Sequence, residues 1–181
     1  LGVSPISSVA NVFSIKFTNI SLGMWLILWN CILIAGQIMI LQKDFKIIQL
    51  LQIPLSFLFG YFTDFGMWCI SFITVNSYIA QILFVLIGVM ILGFGVALSV
   101  IANVIMNSGE AFVKAISDKS GKNFGNIKIG FDVCNVILSL ILSLLLFNGA
   151  IIGTREGTIV TAILTGIVVK FFIKLLNSRL C

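Results

Sequence analysis

The stretch from Phe124 to Phe147, FGNIKIGFDVCNVILSLILSLLLF, is apolar enough to cross a membrane as one helix, yet it carries Lys128 and Asp132 near its start. A bilayer core about 30 Å thick requires about 20 consecutive, mainly apolar residues in helical form. The runs that meet this requirement are 22–41, 47–63, 79–104, 126–147 and 157–176. The sequence therefore predicts an all-α polytopic membrane protein with five visible spans, the second of them bent by Pro54.

The composition also indicates a membrane protein. Of the 181 residues, 60% are hydrophobic and 9% are charged, and the mean hydropathy is +1.20, whereas soluble domains are about 25% charged. Without a linker or low-complexity segment, residues 1–181 form a single transmembrane domain. The chain lacks His and its four cysteines are scattered, so we expect no cofactor and no Cys/His metal site. We also expect no enzyme, because no Ser or Cys has a recognisable base beside it.

Two short amphipathic segments lie between the spans, at 4–17 and 108–120. The first begins with Ser4 before Pro5, and the second with Asn107 or Ser108 before Glu110. These are helix-capping patterns, so each segment is predicted to be a short helix that does not cross the membrane. The sequence leaves open whether these helices lie in the membrane interface or re-enter the bundle. In the second case the amides at the start of a helix can hold an anion or a polar group.

The chain contains an internal repeat when it is shifted against itself by 102 residues. The shift pairs Pro5 with Asn107, Gly23 with Gly125, Trp29 with Phe131, and Asn30 with Asp132. We therefore predict two repeats, 1–77 and 78–181, with the first span of repeat one missing, so that the intact protein has six spans. Three spans per repeat is an odd number, which gives the two repeats the inverted topology common among secondary transporters.

The basic residues predict the orientation. If the C-terminus is cytoplasmic, the loops on that side hold eight basic residues: Lys43, Lys46, Lys114, Lys119, Lys122, Lys170, Lys174 and Arg179. The other side has Lys16 and Arg155. This asymmetry follows the positive-inside rule. We therefore expect a multi-pass membrane protein with its C-terminus in the cytoplasm. The basic residues do not form one patch, so we expect no nucleic-acid partner.

Asp132 is the charged residue that most needs an explanation. An Asp at the middle of a spanning helix costs about 2.5–3.5 kcal/mol, whereas an ion pair four residues apart returns about 0.2–0.5 kcal/mol. Lys128 can extend to the membrane surface, but Asp132 lies about 9 Å inside. Three interpretations remain open: a hydrogen bond within the bundle, a site for a proton, cation or polar substrate near the repeat interface, and a contact with another subunit.

Further candidate binding residues lie in or near the apolar segments. Arg155 and Glu156 fall in GTREGT at 153–158, which predicts a tight turn or a helix start that either anchors the helix or gates a substrate path. Trp29 is too deep for an interfacial aromatic belt and is a candidate cavity residue. The predicted set of substrate or ion-binding residues is Trp29, Asn30, Glu110, Lys128, Asp132, Arg155 and Glu156.

Three segments resemble a known family: LGVSP at 1–5, GEAFVKAISDKSGKNFGNIKIGFD at 109–132, and GTREGTIVTAILTGIVVKFF at 153–172. Through them nearly the whole chain resembles the YczE/YyaS/YitT-type family of uncharacterised bacterial membrane proteins, in its YczE-like branch. The resemblance implies an integral membrane protein with an additional N-terminal helix. It implies no activity and no catalytic residues.

Two functions are compatible with the sequence. The first is a small secondary transporter or channel for a small polar molecule or ion, with its site near the repeat interface. The second is a non-catalytic membrane subunit, or a substrate-capturing component, that stabilises or serves a larger complex. Besides the lipid bilayer, a homo-oligomer or a protein partner is compatible with either function.

Overall fold

The computed structural model describes residues 2–72, 75, 77–103 and 105–180. Residues 178–180 are described by their backbone alone. Within these ranges the chain forms seven α-helices and no strand. The helices are α1 Pro5–Lys16, α2 Leu22–Leu41, α3 Gln52–Ile70, α4 Tyr78–Ala102, α5 Ser108–Ser120, α6 Phe124–Leu146 and α7 Glu156–Leu180. In the described part of the chain, α2, α3, α4, α6 and α7 lie in the five segments that are long and apolar enough to cross a membrane. The predicted all-α membrane fold is confirmed.

The second span differs from its prediction. A 3-10 helix, Ile47–Leu51, leads directly into α3, so Pro54 lies within the first turn of that α-helix. The first amides of a helix have no acceptor inside the helix, so a proline there removes no hydrogen bond. Pro54 therefore belongs to the start of α3, and the helix continues to Ile70, beyond the predicted end at residue 63.

The two short helices form where the sequence predicts them. The Ser4 side chain accepts a hydrogen bond from the Ser7 amide in α1, and the Asn107 side chain accepts one from the Ser108 amide in α5. In both helices the N-terminal turns are buried and the last residues are exposed. A Cβ on Gly109 would lie 2.8 Å from the Ile6 Cδ1. The two helices therefore begin inside the bundle, next to each other, and end at its surface.

Each short helix packs mainly on a long helix from the other half of the chain, where the two halves are α1–α3 and α4–α7. Helix α1 packs mainly on α6, and α5 packs mainly on α2; among the long helices α2 packs on α3, while α7 packs on both α4 and α6. The Lys119 ammonium, at the end of α5, donates to the Ile40 carbonyl at the end of α2. Because α6 begins directly after α5 ends, it starts where α2 stops, and the two helices run in opposite directions.

The predicted basic side of the bundle is the end at which α2 stops. Lys119 lies there, as do Lys46 and Lys114 beside the same hollow. At the opposite end, Lys16 lies over the Phe147 ring, 5.3 Å from its centroid. The side chain of Arg179 lies outside the described part of the chain.

Glycines permit close helix crossings in both halves. A Cβ on Gly60 would lie 2.8 Å from the Gly23 carbonyl oxygen where α3 crosses α2. A Cβ on Gly166 would lie 2.8 Å from the Gly125 carbonyl oxygen where α7 crosses α6. Real Cβ atoms do not approach a backbone oxygen this closely, so each crossing requires glycine.

Buried hydrogen bonds also match between the halves. The amides of Gln37 and Gln52 bond to each other at 2.9 and 3.0 Å, and the hydroxyls of Ser139 and Thr154 do so at 2.9 Å. A shift of 102 residues converts the first pair into the second. A duplication of the kind predicted from the sequence would produce such matched pairs, and it remains a prediction.

Asp64 joins α3 to the start of α2. Its carboxylate accepts from the Ser21 hydroxyl at 2.7 Å and from the Gly23 amide at 2.8 Å. A negative charge at a helix N-terminus is stabilising, so we expect Asp64→Ala to lower the free energy of unfolding by about 1–2 kcal/mol. Thermal unfolding in detergent would measure this change. The control is Asp44→Ala at an exposed acid, and an equal loss in both variants would contradict the capping role.

Candidate functional site

Helix α6 carries a stripe of polar side chains along one face. Lys128, Asp132, Asn135, Ser139 and Ser143 recur at spacings of three and four residues, and all five are buried. Polar residues of a spanning helix generally face the bundle interior rather than lipid. This stripe turns α6 so that its charged pair faces the other helices.

The charged pair is part of a buried cluster of three. The Lys128 ammonium donates to Asp132 Oδ1 at 2.7 Å and lies 4.0 Å from Glu110 Oε1, which reaches in from the first turn of α5. Lys128 is 2% exposed and Asp132 is 0% exposed. The predicted extension of Lys128 to the membrane surface is wrong, because its ammonium is held by two carboxylates inside the bundle. The structure thus brings together three of the predicted site residues.

A cavity of about 550 Å³ lies beside this cluster. The starts of α1 and α5 form part of its wall, together with Phe59 of α3, Thr165 of α7, and the Glu110–Lys128–Asp132 cluster. The remaining wall is the stretch of α4 from Ile91 to Ser99, which is mostly apolar. The volume is in the range of small-molecule sites, about 300–1,000 Å³. The cavity therefore combines one charged wall with a larger apolar one.

Three polar atoms of the cavity residues lack a hydrogen-bond partner among the described residues. They are Glu110 Oε2, Asp132 Oδ2 and Thr165 Oγ1, and all are buried. Leaving a buried polar atom unpaired costs about 1–3 kcal/mol, and native proteins contain few such atoms. Three of the eight such atoms in the described part of the chain thus belong to residues that line this cavity.

A second hollow, of about 500 Å³, lies at the basic end of the bundle. Its charged lining residues are Asp44, Lys46, Lys114, Asp118 and Lys119. Met106, in the segment before α5, lines both this hollow and the cavity beside Asp132. The two spaces are therefore neighbours that share one flexible apolar side chain.

The other predicted site residues lie elsewhere. Asn30 is buried on α2, and neither of its amide atoms has a partner among the described residues. Trp29 beside it is half-buried, and neither residue is among those that line the cavity. Arg155 and Glu156 are exposed at the start of α7. The structure therefore does not bring these four residues into the Glu110–Lys128–Asp132 cluster.

Thr165 is a cavity residue that the sequence analysis missed. It follows Thr158 and Thr161 on α7 at spacings of three and four residues, and Thr158 and Thr165 are both buried. A polar stripe on an otherwise apolar spanning helix predicts a face turned towards the protein interior. This spacing was the available signal for Thr165.

The chain is similar to membrane proteins already described. The model of a family described as "Family of unknown function (DUF6198)" matches residues 1–174. The chain is 28% identical, over 171 residues, to the "Uncharacterized membrane protein YczE" of Bacillus subtilis (strain 168), covering 94% of this chain and 73% of that protein. No solved structure matches. The resemblance seen in the sequence is thereby confirmed, and this multi-pass membrane protein belongs to the DUF6198 family.

Proposed function

We propose that the protein is a small secondary transporter or channel for a small polar molecule or ion, with its site in the cavity beside Asp132. The observation that carries this proposal is the set of three buried, unpartnered polar atoms around one cavity, next to a buried ion pair. Charged groups inside a spanning bundle are costly and generally mark ion or substrate pathways. A purely structural ion pair would not require an adjacent cavity of this size.

The arrangement of the short helices supports a transport role. Helices α1 and α5 both start at the cavity and run outward from it. In many secondary transporters, interrupted helices begin at a site near the membrane midplane, at the interface of two inverted repeats. The opposed directions of α2 and α6 and the matched hydrogen bonds favour such repeats here.

The basic end of the bundle suggests how the site connects to one side of the membrane. We assign this end, and the C-terminus, to the cytoplasm, because the positive-inside rule favours it. The hollow at this end holds Lys46, Lys114 and Lys119, and among the described residues only Met106 lines both it and the cavity. In this proposal Met106 separates the site from the cytoplasmic side.

The test is uptake into liposomes. A thermal-shift panel of inorganic ions, amines, amino acids and vitamins identifies a compound that raises the melting temperature, and uptake of that compound is then measured. We expect Asp132→Asn to reduce uptake at least tenfold without unfolding the protein, since the amide oxygen can still accept from Lys128.

The control is Asp64→Asn. Asp64 lies at the α2–α3 contact, where it accepts from the Ser21 hydroxyl and the Gly23 amide, and it lines neither the cavity nor the hollow at the basic end. Its replacement is expected to leave uptake unchanged. Wild-type uptake by Asp132→Asn would contradict the proposal. So would uptake that requires a stoichiometric second protein, which would favour the alternative role as a subunit of a larger complex.

A further inference from the structure

We propose that the ligand of the cavity is a small organic cation, in which a primary ammonium group is attached to an apolar body. This inference rests on the function proposed above, because it names the ligand class of the same site. The ammonium group would lie between Glu110, Asp132 and Thr165, and the body would lie along α4.

The charge of the cavity wall favours a cation. Glu110 and Asp132 supply two carboxylates, whereas Lys128 supplies one ammonium. In its ionised form this cluster keeps one negative charge that the described residues around the cavity do not balance. A buried, uncompensated charge is strongly unfavourable. A ligand with one positive charge would compensate it.

The open atoms favour an ammonium group in particular. Glu110 Oε2 and Asp132 Oδ2 are carboxylate oxygens, which accept hydrogen bonds when ionised, and the Thr165 hydroxyl can also accept. An ammonium group has three N–H donors and no acceptor. Its three donors match, in number and kind, three acceptors that have no partner among the described residues. Because all three acceptors are buried, the ligand must displace the side chains that cover them.

An anionic ligand would fit the site poorly. It would approach two carboxylates, while the one cation of the cluster, Lys128, already donates to Asp132 at 2.7 Å. The positive ends of α1 and α5 do not offset this, because Ser4 and Asn107 cap them, and Glu110 itself lies in the first turn of α5. A carboxylate in the first turn already neutralises part of the positive end of the helix dipole.

The apolar wall favours an organic ligand over a metal ion. Ile91, Leu92 and Val96 of α4 face the cavity together with Phe59 of α3. These side chains offer no oxygen ligands, and the described residues contain no group of three or more Cys, Asp or Glu suited to a metal. A carbon skeleton can instead occupy this wall and gain stabilisation from removing apolar surface from water.

The experiment compares three probes that share a phenyl ring and differ in charge. Phenethylammonium carries a positive head group, 2-phenylethanol a neutral one, and 3-phenylpropionate a negative one. Binding to the purified protein in nanodiscs is measured by isothermal titration calorimetry. We expect phenethylammonium to bind at least tenfold more tightly than either of the other probes, since charge-assisted hydrogen bonds are the strong ones.

Two variants test whether the ammonium group lies beside Glu110 and Thr165. Glu110→Gln removes one charge and is expected to weaken phenethylammonium binding at least tenfold. Thr165→Val preserves the side-chain shape, removes one acceptor, and is expected to weaken binding roughly threefold. Asp118→Asn, at the exposed ion pair on α5, should not change the affinity. The melting temperature of each variant establishes that it is folded.

Each outcome bears on the ligand class. Equal binding of 2-phenylethanol, tighter binding of 3-phenylpropionate, or no binding of any probe to the folded protein would overturn the proposal. Wild-type affinity in folded Glu110→Gln would do the same. Selective binding of phenethylammonium without its uptake into liposomes would support the ligand class and would count against transport alone.

Discussion

Replacement of Lys128 by methionine is expected to lower the free energy of unfolding by about 3–5 kcal/mol. Lys128 is 2% exposed and separates two carboxylates, at 2.7 Å from Asp132 and 4.0 Å from Glu110. Without the ammonium, both acids would remain buried with no cation beside them, and breaking a buried pair by removing one partner costs this much. The measurement is chemical or thermal unfolding in detergent micelles.

Two further variants isolate the cause. The triple variant Lys128→Met, Asp132→Leu and Glu110→Gln removes all three charges of the cluster and should recover much of the lost stability, because uncharged replacement of a buried ion pair is often neutral. Lys114→Met removes an exposed ion pair of the same spacing on α5 and should cost less than about 1 kcal/mol. A loss for Lys128→Met no larger than that for Lys114→Met would show that the buried pair does not hold the bundle together.

Replacement of Gly166 by valine is expected to lower the free energy of unfolding by about 3 kcal/mol. Its new Cβ would lie 2.8 Å from the Gly125 carbonyl oxygen and would also meet the Ile129 side chain. The Gly125 backbone cannot give way unless α6 and α7 separate, and overpacking of this kind costs about 1–3 kcal/mol or more. Unfolding under the same conditions measures the loss.

Gly130 on α6 provides the matched control. A Cβ added there meets no atom within 4 Å, and alanine favours the helix over glycine by about 1 kcal/mol. Gly130→Ala should therefore be neutral or stabilising. If Gly166→Val were as stable as the wild type, the close α6–α7 crossing would not contribute to the fold in the way described.

The spans and short helices were largely readable from the sequence. Apolar runs gave 22–41 with the observed bounds of α2, and the capping residues Ser4 and Asn107 located α1 and α5. Both signals are local: an apolar run reports the solvent around a helix, and a cap reports its first turn. The structure places Pro54 in the first turn of α3, directly after a 3-10 helix, and the apolar run alone did not show where α3 begins.

The candidate site was only partly readable. The polar spacing of α6 indicates which face is buried, but it does not indicate which helix covers that face. Glu110 reaches Lys128 only through the packing of α5, and Thr165 belongs to another helix. Asn30 was selected by the repeat alignment, which preserves position within a repeat. That alignment pairs positions and not side chains, and the unpartnered polar atoms of the cavity residues come from α5, α6 and α7.

The placement of the short helices has a consequence for biosynthesis. The Ser8 hydroxyl of α1 bonds the Asn135 carbonyl of α6, 127 residues later in the chain. At roughly 5–20 residues per second, a ribosome needs about 6–25 s to make that interval. During this time α1 has been synthesised, but its main packing surface does not yet exist. The N-terminal half must therefore remain in the membrane as an incomplete intermediate, one that chaperones or the insertion machinery can hold, until translation of α6 is complete.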